Sequence, residues 1–176
     1  MSEITFVTLH AQPYDIEARG FYFKTLEEYK EKAAKNFNSY GGIVEEYEFQ
    51  FIDGEGSQEL LDHLSLEDFF EIVETWKTEK VEKIDLLAEA VGWHHIGNTP
   101  DDIEDKLDSM IVYSSSHNKD DLGMEVMAEY DSELYARLEG VSHLFDFERW
   151  LDEFMTGNSA SVIYKDGKHY YIELPE

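Results

Sequence analysis

The chain has 176 residues, of which 42% are hydrophobic and 14% aromatic, and its 14 Lys and Arg against 40 Asp and Glu give a formal net charge of −26. The aromatic content distinguishes it from acidic disordered tails, which are poor in aromatic residues, so we expect a folded chain. The absence of cysteine excludes disulfides, thiolate metal sites and a cysteine nucleophile, and the strong negative charge argues against direct binding to nucleic acids or anionic lipid surfaces.

The beginning of the chain, MSEITFVTLH, lacks the basic residues and the long apolar run of a signal peptide. No stretch of the sequence stays apolar for long enough to span a membrane. We therefore expect a cytoplasmic protein that is not associated with a membrane.

The first third of the chain predicts a small α+β unit. Two strand-like segments, 4–11 and 18–24, precede a helical segment, 25–37, in which Thr25 and Glu28 have the spacing of a capping box. The glycines Gly41 and Gly42 then interrupt the regular pattern before the next predicted strand.

That strand, 44–56, alternates between aromatic and acidic residues. Successive side chains of a strand point to opposite faces, so Tyr47 and Phe49 fall on one face while Glu46 and Glu48 fall on the other. One face is expected to pack and the other to present carboxylates.

The middle of the chain predicts three helices, over 65–77, 79–91 and 99–109. In the first of them apolar residues recur at helical spacing, and the opposite face carries a stripe of Glu67, Glu71 and Glu74. Like charges at this spacing destabilise an isolated helix, so this helix must be held by its apolar face.

The last part predicts a short strand or connector over 110–116 and helices over 120–130, 132–140 and 145–155. An Asp-Gly pair at 166–167, between two β-prone runs, then indicates a hairpin.

The order of elements predicts an α+β fold made of three small domains. Residues 1–58 form an α+β domain, residues 59–115 a mostly helical domain, and residues 116–176 an α+β domain that ends in a hairpin.

Sequence motifs do not indicate an enzyme. Among 40 acidic residues, carboxylate pairs suited to acid-base catalysis occur by chance, and no catalytic signature accompanies them. His94 and His95 lack the spacing or the partners of a metal site, and no acidic segment matches a calcium-binding EF-hand loop. We therefore predict no catalytic residue, no metal site and no cofactor.

The distribution of charge is the strongest signal. No Lys or Arg lies between Lys35 and Lys77, whereas acidic residues are frequent there. Duplex DNA carries about one negative charge per 1.7 Å of axis, so 26 net charges correspond to roughly 45 Å of duplex. A folded surface with this density of carboxylates imitates a DNA backbone and binds proteins whose grooves receive DNA. The alternative explanations are a merely solvated acidic face and adaptation to high salt.

Three segments resemble a known family. Residues 11–23 (AQPYDIEARGFYF), with the adjoining TLEEYKEKAAKNFNSYGG, and residues 44–55 (VEEYEFQFIDGE) are similar to the amino-terminal part of the ArdA-type antirestriction proteins, and residues 140–154 (GVSHLFDFERWLDEF) to their carboxy-terminal region. The resemblance implies an elongated three-domain protein, dimeric through its carboxy-terminal domain. Its acidic surface would mimic bent B-form DNA and occupy the DNA site of type I restriction-modification enzymes.

The resemblance and the spacing of the acidic residues together define a predicted DNA-mimic surface. The resemblance places one group in the acidic strand and turn of the first domain: Glu45, Glu46, Glu48, Asp53 and Glu55. It places a second group in the last helix: Asp146, Glu148, Asp152 and Glu153. Spacing alone adds Glu59, Asp62, Glu67, Asp68, Glu71, Glu74, Asp101, Asp102, Glu104, Asp105, Asp108, Asp120, Asp121, Glu125, Glu129, Asp131 and Glu133.

The predicted DNA mimic is expected to be carried by a phage or mobile element, and other functions compatible with the sequence remain as alternatives. The first is an acidic inhibitor of another nucleic-acid-binding protein, such as a nuclease immunity protein or an anti-CRISPR protein. The second is a metal-assisted hydrolase, which would lose its activity through a single acidic substitution. A mimic would instead show graded losses when clusters of charge are reversed.

Overall fold

The computed structural model describes residues 6–174, in which eight α-helices accompany two three-stranded antiparallel sheets, so the predicted α+β class is confirmed. Contacts divide the chain into two compact units. The first extends to Asp85 and includes Gly97–Ile103, and the second consists of Leu86–Ile96 and the chain from Glu104 onward. The division into three domains stays a prediction. None of the helices within residues 6–174 is both long and apolar enough to cross a bilayer.

The sheet of the first unit consists of β1 (Val7–Pro13), β2 (Phe21–Phe23) and β3 (Tyr47–Gly54), in the order β2-β1-β3. Alternate side chains of the central strand β1 are buried, as its period-two pattern requires. The outer strands β2 and β3 are shorter than the predicted segments 18–24 and 44–56, because each extends only as far as it is paired with β1. Residues 4 and 5 of the first predicted strand lie outside the described residues.

The predicted capping box begins helix α1 (Leu26–Ala33). The Thr25 hydroxyl oxygen accepts a hydrogen bond from the Glu28 backbone N–H at 3.1 Å. The Glu28 carboxylate accepts one from the backbone N–H of Lys24, the residue before the cap, at 2.7 Å. The helix ends at Ala33, earlier than the predicted residue 37.

The segment that follows β3 in the sequence forms four helices: α2 (Gln58–His63), α3 (Leu66–Thr75), α4 (Thr78–Val91) and α5 (Pro100–Ser109). Helix α3 begins at the predicted cap, where the Ser65 hydroxyl oxygen accepts from the Asp68 backbone N–H at 3.1 Å. Its apolar face is buried, including Phe69 and Phe70. Helix α4 ends at Val91 because the next residue, Gly92, has a positive φ of 89°, and a 3₁₀ turn, Trp93–His95, follows.

The sheet of the second unit consists of β4 (Ile111–Ser115), β5 (Ala160–Lys165) and β6 (Lys168–Glu173), in the order β4-β6-β5. The predicted hairpin joins β5 to β6. Its two loop residues, Asp166 and Gly167, have φ values of 49° and 80°, and positive φ at both positions is the requirement of a type I′ turn.

Three helices accompany this sheet: α6 (Lys119–Tyr130), α7 (Ser132–Arg137) and α8 (Phe147–Met155). Helix α7 is shorter than the predicted 132–140, and a 3₁₀ turn, Ser142–Leu144, precedes α8. The core between helices and sheet contains a cluster of four fully buried side chains: Leu122, Val126, Leu151 and Tyr171.

Candidate protein-interaction surface

The predicted DNA-mimic carboxylates are distributed over both units. All are exposed except six that are half-buried: Glu55, Asp68, Glu104, Asp120, Asp121 and Asp131. The first unit holds those of residues 45–74 together with Asp101 and Asp102, and the second unit holds the others. Each group is described within its own unit.

Strand β3 presents its acidic face as the alternation predicts. Glu46, just before the strand, and Glu48 are exposed, whereas Tyr47 and Phe49 pack against Tyr29 of α1 with ring centroids 5.9 and 5.2 Å apart. Aromatic packing on one face therefore fixes the orientation of the carboxylates on the other.

A side chain of α2 forms hydrogen bonds with the free edge of β3. The amide of Gln58, the first residue of α2, accepts from the Phe51 backbone N–H at 2.7 Å and donates to the Phe49 carbonyl at 3.2 Å. Unpaired edges attract other strands, and this contact together with the neighbouring charges disfavours such pairing. Pairing of a further strand with this edge of β3 is therefore disfavoured.

Helices α2 and α3 add a second set of exposed carboxylates to the first unit. On α3, the stripe of Glu67, Glu71 and Glu74 is exposed opposite the buried apolar face. Lys30 of α1 lies 3.6 Å from the Glu67 carboxylate. On α2, Glu59 and Asp62 are exposed.

Glu55 differs from the rest of the set. One carboxylate oxygen accepts from the Thr78 hydroxyl at 2.6 Å, and the other is buried with no hydrogen-bond partner among the described residues. The side chain lines a small cavity beside Glu82 and Asp85. Its contribution to a surface is therefore smaller than its position after β3 suggests.

Several carboxylates of the second unit are used within the fold. Asp131 and Asp146 cap α7 and α8 by accepting from backbone N–H groups at 3.2 and 2.9 Å. Asp120 accepts from the Glu148 backbone N–H at 3.1 Å. Local capping therefore accounts for part of the acidic composition here, independently of any partner.

Lys119 neutralises part of the acidic face of α8. Its ammonium group lies 2.6 Å from Asp152 and 3.6 Å from Glu148. Burial acts against the charged form of Lys119, but the two carboxylates outweigh it and raise its pKa. In the same helix, Arg149 pairs with Glu153 at 3.1 Å. Three of the four carboxylates that the resemblance places in the last helix are therefore paired with a basic side chain.

The histidine pair has an unexpected geometry. The rings of His94 and His95 are exposed and in contact, with centroids 4.0 Å apart, whereas adjacent side chains of a regular element would point apart. The 3₁₀ turn that contains them accounts for the difference. Across residues 6–174, no three histidine or carboxylate side chains are placed to bind one metal ion.

Exposed apolar side chains in two loops of the first unit are absent from the sequence-based set. Tyr14 and Ile16 follow β1, and Tyr40 and Ile43 precede β3. The sequence does carry a signal for these residues. The segments QPYDIE and NSYGGI each place a tyrosine and an isoleucine in a turn, where polar residues are usual.

Comparison of the chain with protein-family models, with curated proteins and with solved structures found no match.

Proposed function

We propose that this chain is a non-enzymatic antirestriction DNA mimic, whose acidic surface competes with DNA for the binding site of a type I restriction-modification enzyme. The observation that carries the proposal is the segment 36–76, which contains eleven acidic residues and no Lys or Arg and includes β3, α2 and α3. Most of these carboxylates are exposed on a packed scaffold. The resemblance to the ArdA-type proteins supports the same function.

Electrostatics explains why such a surface would inhibit a DNA-binding enzyme. A groove that binds DNA is lined by Lys and Arg, and a rigid array of carboxylates meets the same positive charges without offering a substrate. Binding would accordingly weaken as the salt concentration rises. Neither a cofactor nor a metal is needed for this competition.

The proposal includes a cytoplasmic homodimer. Two copies would double the length of the anionic surface, and the resemblance places the contact between them in the carboxy-terminal region. Val141 and Leu144, which are exposed apolar residues before α8, are suitable for such a contact. Light scattering measures the mass directly and is the appropriate test, since strongly acidic proteins migrate anomalously on sizing columns.

Displacement of DNA tests the function. A type I methyltransferase core is bound to a labelled duplex that carries its target site, and the protein is titrated into the complex at low and at moderate salt. We expect stoichiometric displacement that weakens with salt. Failure to displace the duplex at low salt contradicts the proposal, and the same assay with nucleases and CRISPR effectors then examines the alternative targets.

Charge variants identify the surface that acts. The variant Glu48→Gln, Glu71→Gln, Glu74→Gln removes three exposed carboxylates of the first unit, and Glu27→Gln, Glu31→Gln, Glu139→Gln removes three exposed carboxylates outside the predicted surface. Since exposed ion pairs each contribute about 0.2–1 kcal/mol, the first variant should bind roughly 3–140-fold more weakly than the native chain. The second should bind almost normally. Equal losses would mean that only net charge matters.

A further inference from the structure

Hydrogen bonds connect two loops of the first unit, the one that follows β1 and the one that precedes β3. The Asn38 side-chain amide donates to the Asp15 carboxylate at 2.8 Å, and the Ser39 hydroxyl donates to the Glu17 carboxylate at 2.7 Å. The Tyr14 backbone N–H also donates to the Glu46 carbonyl at 3.2 Å. These bonds hold the chain after β1 against the chain before β3.

The same loops expose large apolar side chains that a folded chain usually buries. Tyr14 is 65% exposed, Ile16 94%, Tyr40 85% and Ile43 60%. Single exposed apolar residues are normal, but four on two adjoining loops are typical of an interaction site.

Between the loops lies an open depression with apolar and acidic walls. It is lined by Tyr14, Asp15, Ile43, Val44, Glu45 and Glu46. The hydrogen bond from Asn38, and then that from the Glu17 backbone N–H, lower the pKa of Asp15, so its carboxylate is charged at neutral pH. The lining includes no Lys or Arg.

We infer that this depression receives an arginine side chain from the surface of a protein partner. The guanidinium group would lie over the Tyr14 ring and pair with the Glu45 or Glu46 carboxylate, and its methylene groups would lie along Ile43 and Val44. This inference rests on the proposed function, because an arginine-rich DNA-binding groove is the partner that it requires.

The chemistry of the walls selects arginine over other groups. Its planar cation stacks on aromatic rings, forms paired hydrogen bonds with carboxylates and is more weakly hydrated than the ammonium group of lysine. Its apolar stem suits an aliphatic wall. A purely acidic surface would attract any cation, whereas this depression adds an orientation and a contact that salt screens less.

The test compares apolar variants that leave the charge unchanged. Tyr14→Ser with Ile43→Thr removes the aromatic wall and one of the two aliphatic side chains of the depression. Tyr22→Ser with Ile52→Thr makes the same chemical change at exposed positions elsewhere in the first unit. We expect the first variant to bind the methyltransferase core about tenfold more weakly at every salt concentration, with the native slope of affinity against salt. Tyr14→Phe should bind like the native chain, because it keeps the ring.

The outcomes separate this inference from the proposed function. If the depression variant and its control bind as tightly as the native chain, the arginine site is wrong and the mimicry stands. If the native chain does not bind at all, both are wrong. Should the depression variant fail to fold, hydrogen exchange of the native complex decides: protection of amides at 14–18 and 39–46 supports the site, and unchanged exchange there overturns it.

Discussion

Glu173 on β6 is the acceptor for two tyrosine hydroxyls of the second unit. The Tyr130 hydroxyl donates to one of its oxygens at 2.6 Å, and the Tyr171 hydroxyl donates to the same oxygen at 2.7 Å. Tyr171 is fully buried, and Tyr113 packs against both rings. Burial, and then the hydrogen bond to Glu173, raise the pKa of Tyr130 and of Tyr171. The protonated hydroxyls therefore stabilise the fold.

This arrangement predicts a loss of stability at alkaline pH. An unfolded tyrosine has a pKa of about 10. Because the folded pKa is higher, the stabilisation is complete below pH 10 and is lost as the pH rises through the folded value. The unfolding free energy is measured by urea denaturation at a series of pH values above 10, and it should decline less steeply with pH in Tyr171→Phe than in the native chain. Tyr164→Phe, at an exposed position of the same sheet, should leave this pH dependence unchanged. The same pH dependence in the native chain and in both variants would contradict the stabilising role of the Tyr171 hydroxyl.

Residue-level prediction from the sequence succeeds where the interaction is local. The Thr25 cap, the Ser65 cap and the hairpin turn at Asp166 all depend on neighbours within four residues, so their spacing determines them. Two other features depend on residues that are distant in the sequence. Glu55 accepts a hydrogen bond from Thr78, and the backbone N–H of Tyr14 donates to the Glu46 carbonyl, which brings the two walls of the depression together. Such distant pairs carry no local pattern, which explains why the burial of Glu55 and the depression were not predicted.

At the scale of elements, α6 and α8 pack closely because α6 has a glycine at their contact. A Cβ atom added to Gly123 would lie 2.3 Å from the Phe147 carbonyl oxygen, far inside contact distance. The neighbouring atom belongs to the backbone of α8, which cannot move away without shifting the helix.

Gly123→Ala should therefore destabilise the second unit. Alanine is the better helix former by roughly 1 kcal/mol, but forcing a methyl group into a packed contact costs typically 1–3 kcal/mol, and a backbone clash falls at the upper end. Urea denaturation should show a net loss of about 1–2 kcal/mol. Gly157→Ala, with nothing within 4 Å of the added atom, should change stability by less than about 0.5 kcal/mol. A Gly123→Ala variant more stable than the native chain would mean that α6 and α8 lie further apart than the structure shows.

Elements with an apolar face are predicted better than elements that depend on pairing. In α3 and α8 the periodic apolar residues face the core, and the expected acidic faces are exposed. The three-residue strand β2 is much shorter than its β-prone segment, since only the residues opposite Leu9, His10 and Ala11 find partners. Strand length is thus a property of the sheet, which a single segment does not encode.

For the whole molecule, the net charge of −26 opposes folding while supplying the proposed function. Exposed charges interact over a Debye length of about 10 Å at 0.1 M salt, so carboxylates on the same helix face repel one another in dilute buffer and much less in concentrated salt. On α3 the repulsion is local, since Glu71 lies four residues after Glu67 and three before Glu74.

The conflict between stability and function is measurable at these positions. Glu71→Gln with Glu74→Gln removes three like-charge pairs at helical spacing, those of Glu71 with Glu67, Asp68 and Glu74. It keeps Glu67, which lies at the helix start and near Lys30. Its unfolding free energy in dilute buffer should exceed that of the native chain by about 0.6–1.5 kcal/mol, and the gain should shrink as salt is added. Asp53→Asn with Glu139→Gln makes an equal charge change outside the helices and should gain less. Equal gains in unfolding free energy would mean that the acidic surface destabilises the fold through net charge alone. A gain confined to the α3 variant, together with weaker binding of that variant to the methyltransferase core, would mean that these carboxylates lower stability and are kept because a partner requires them.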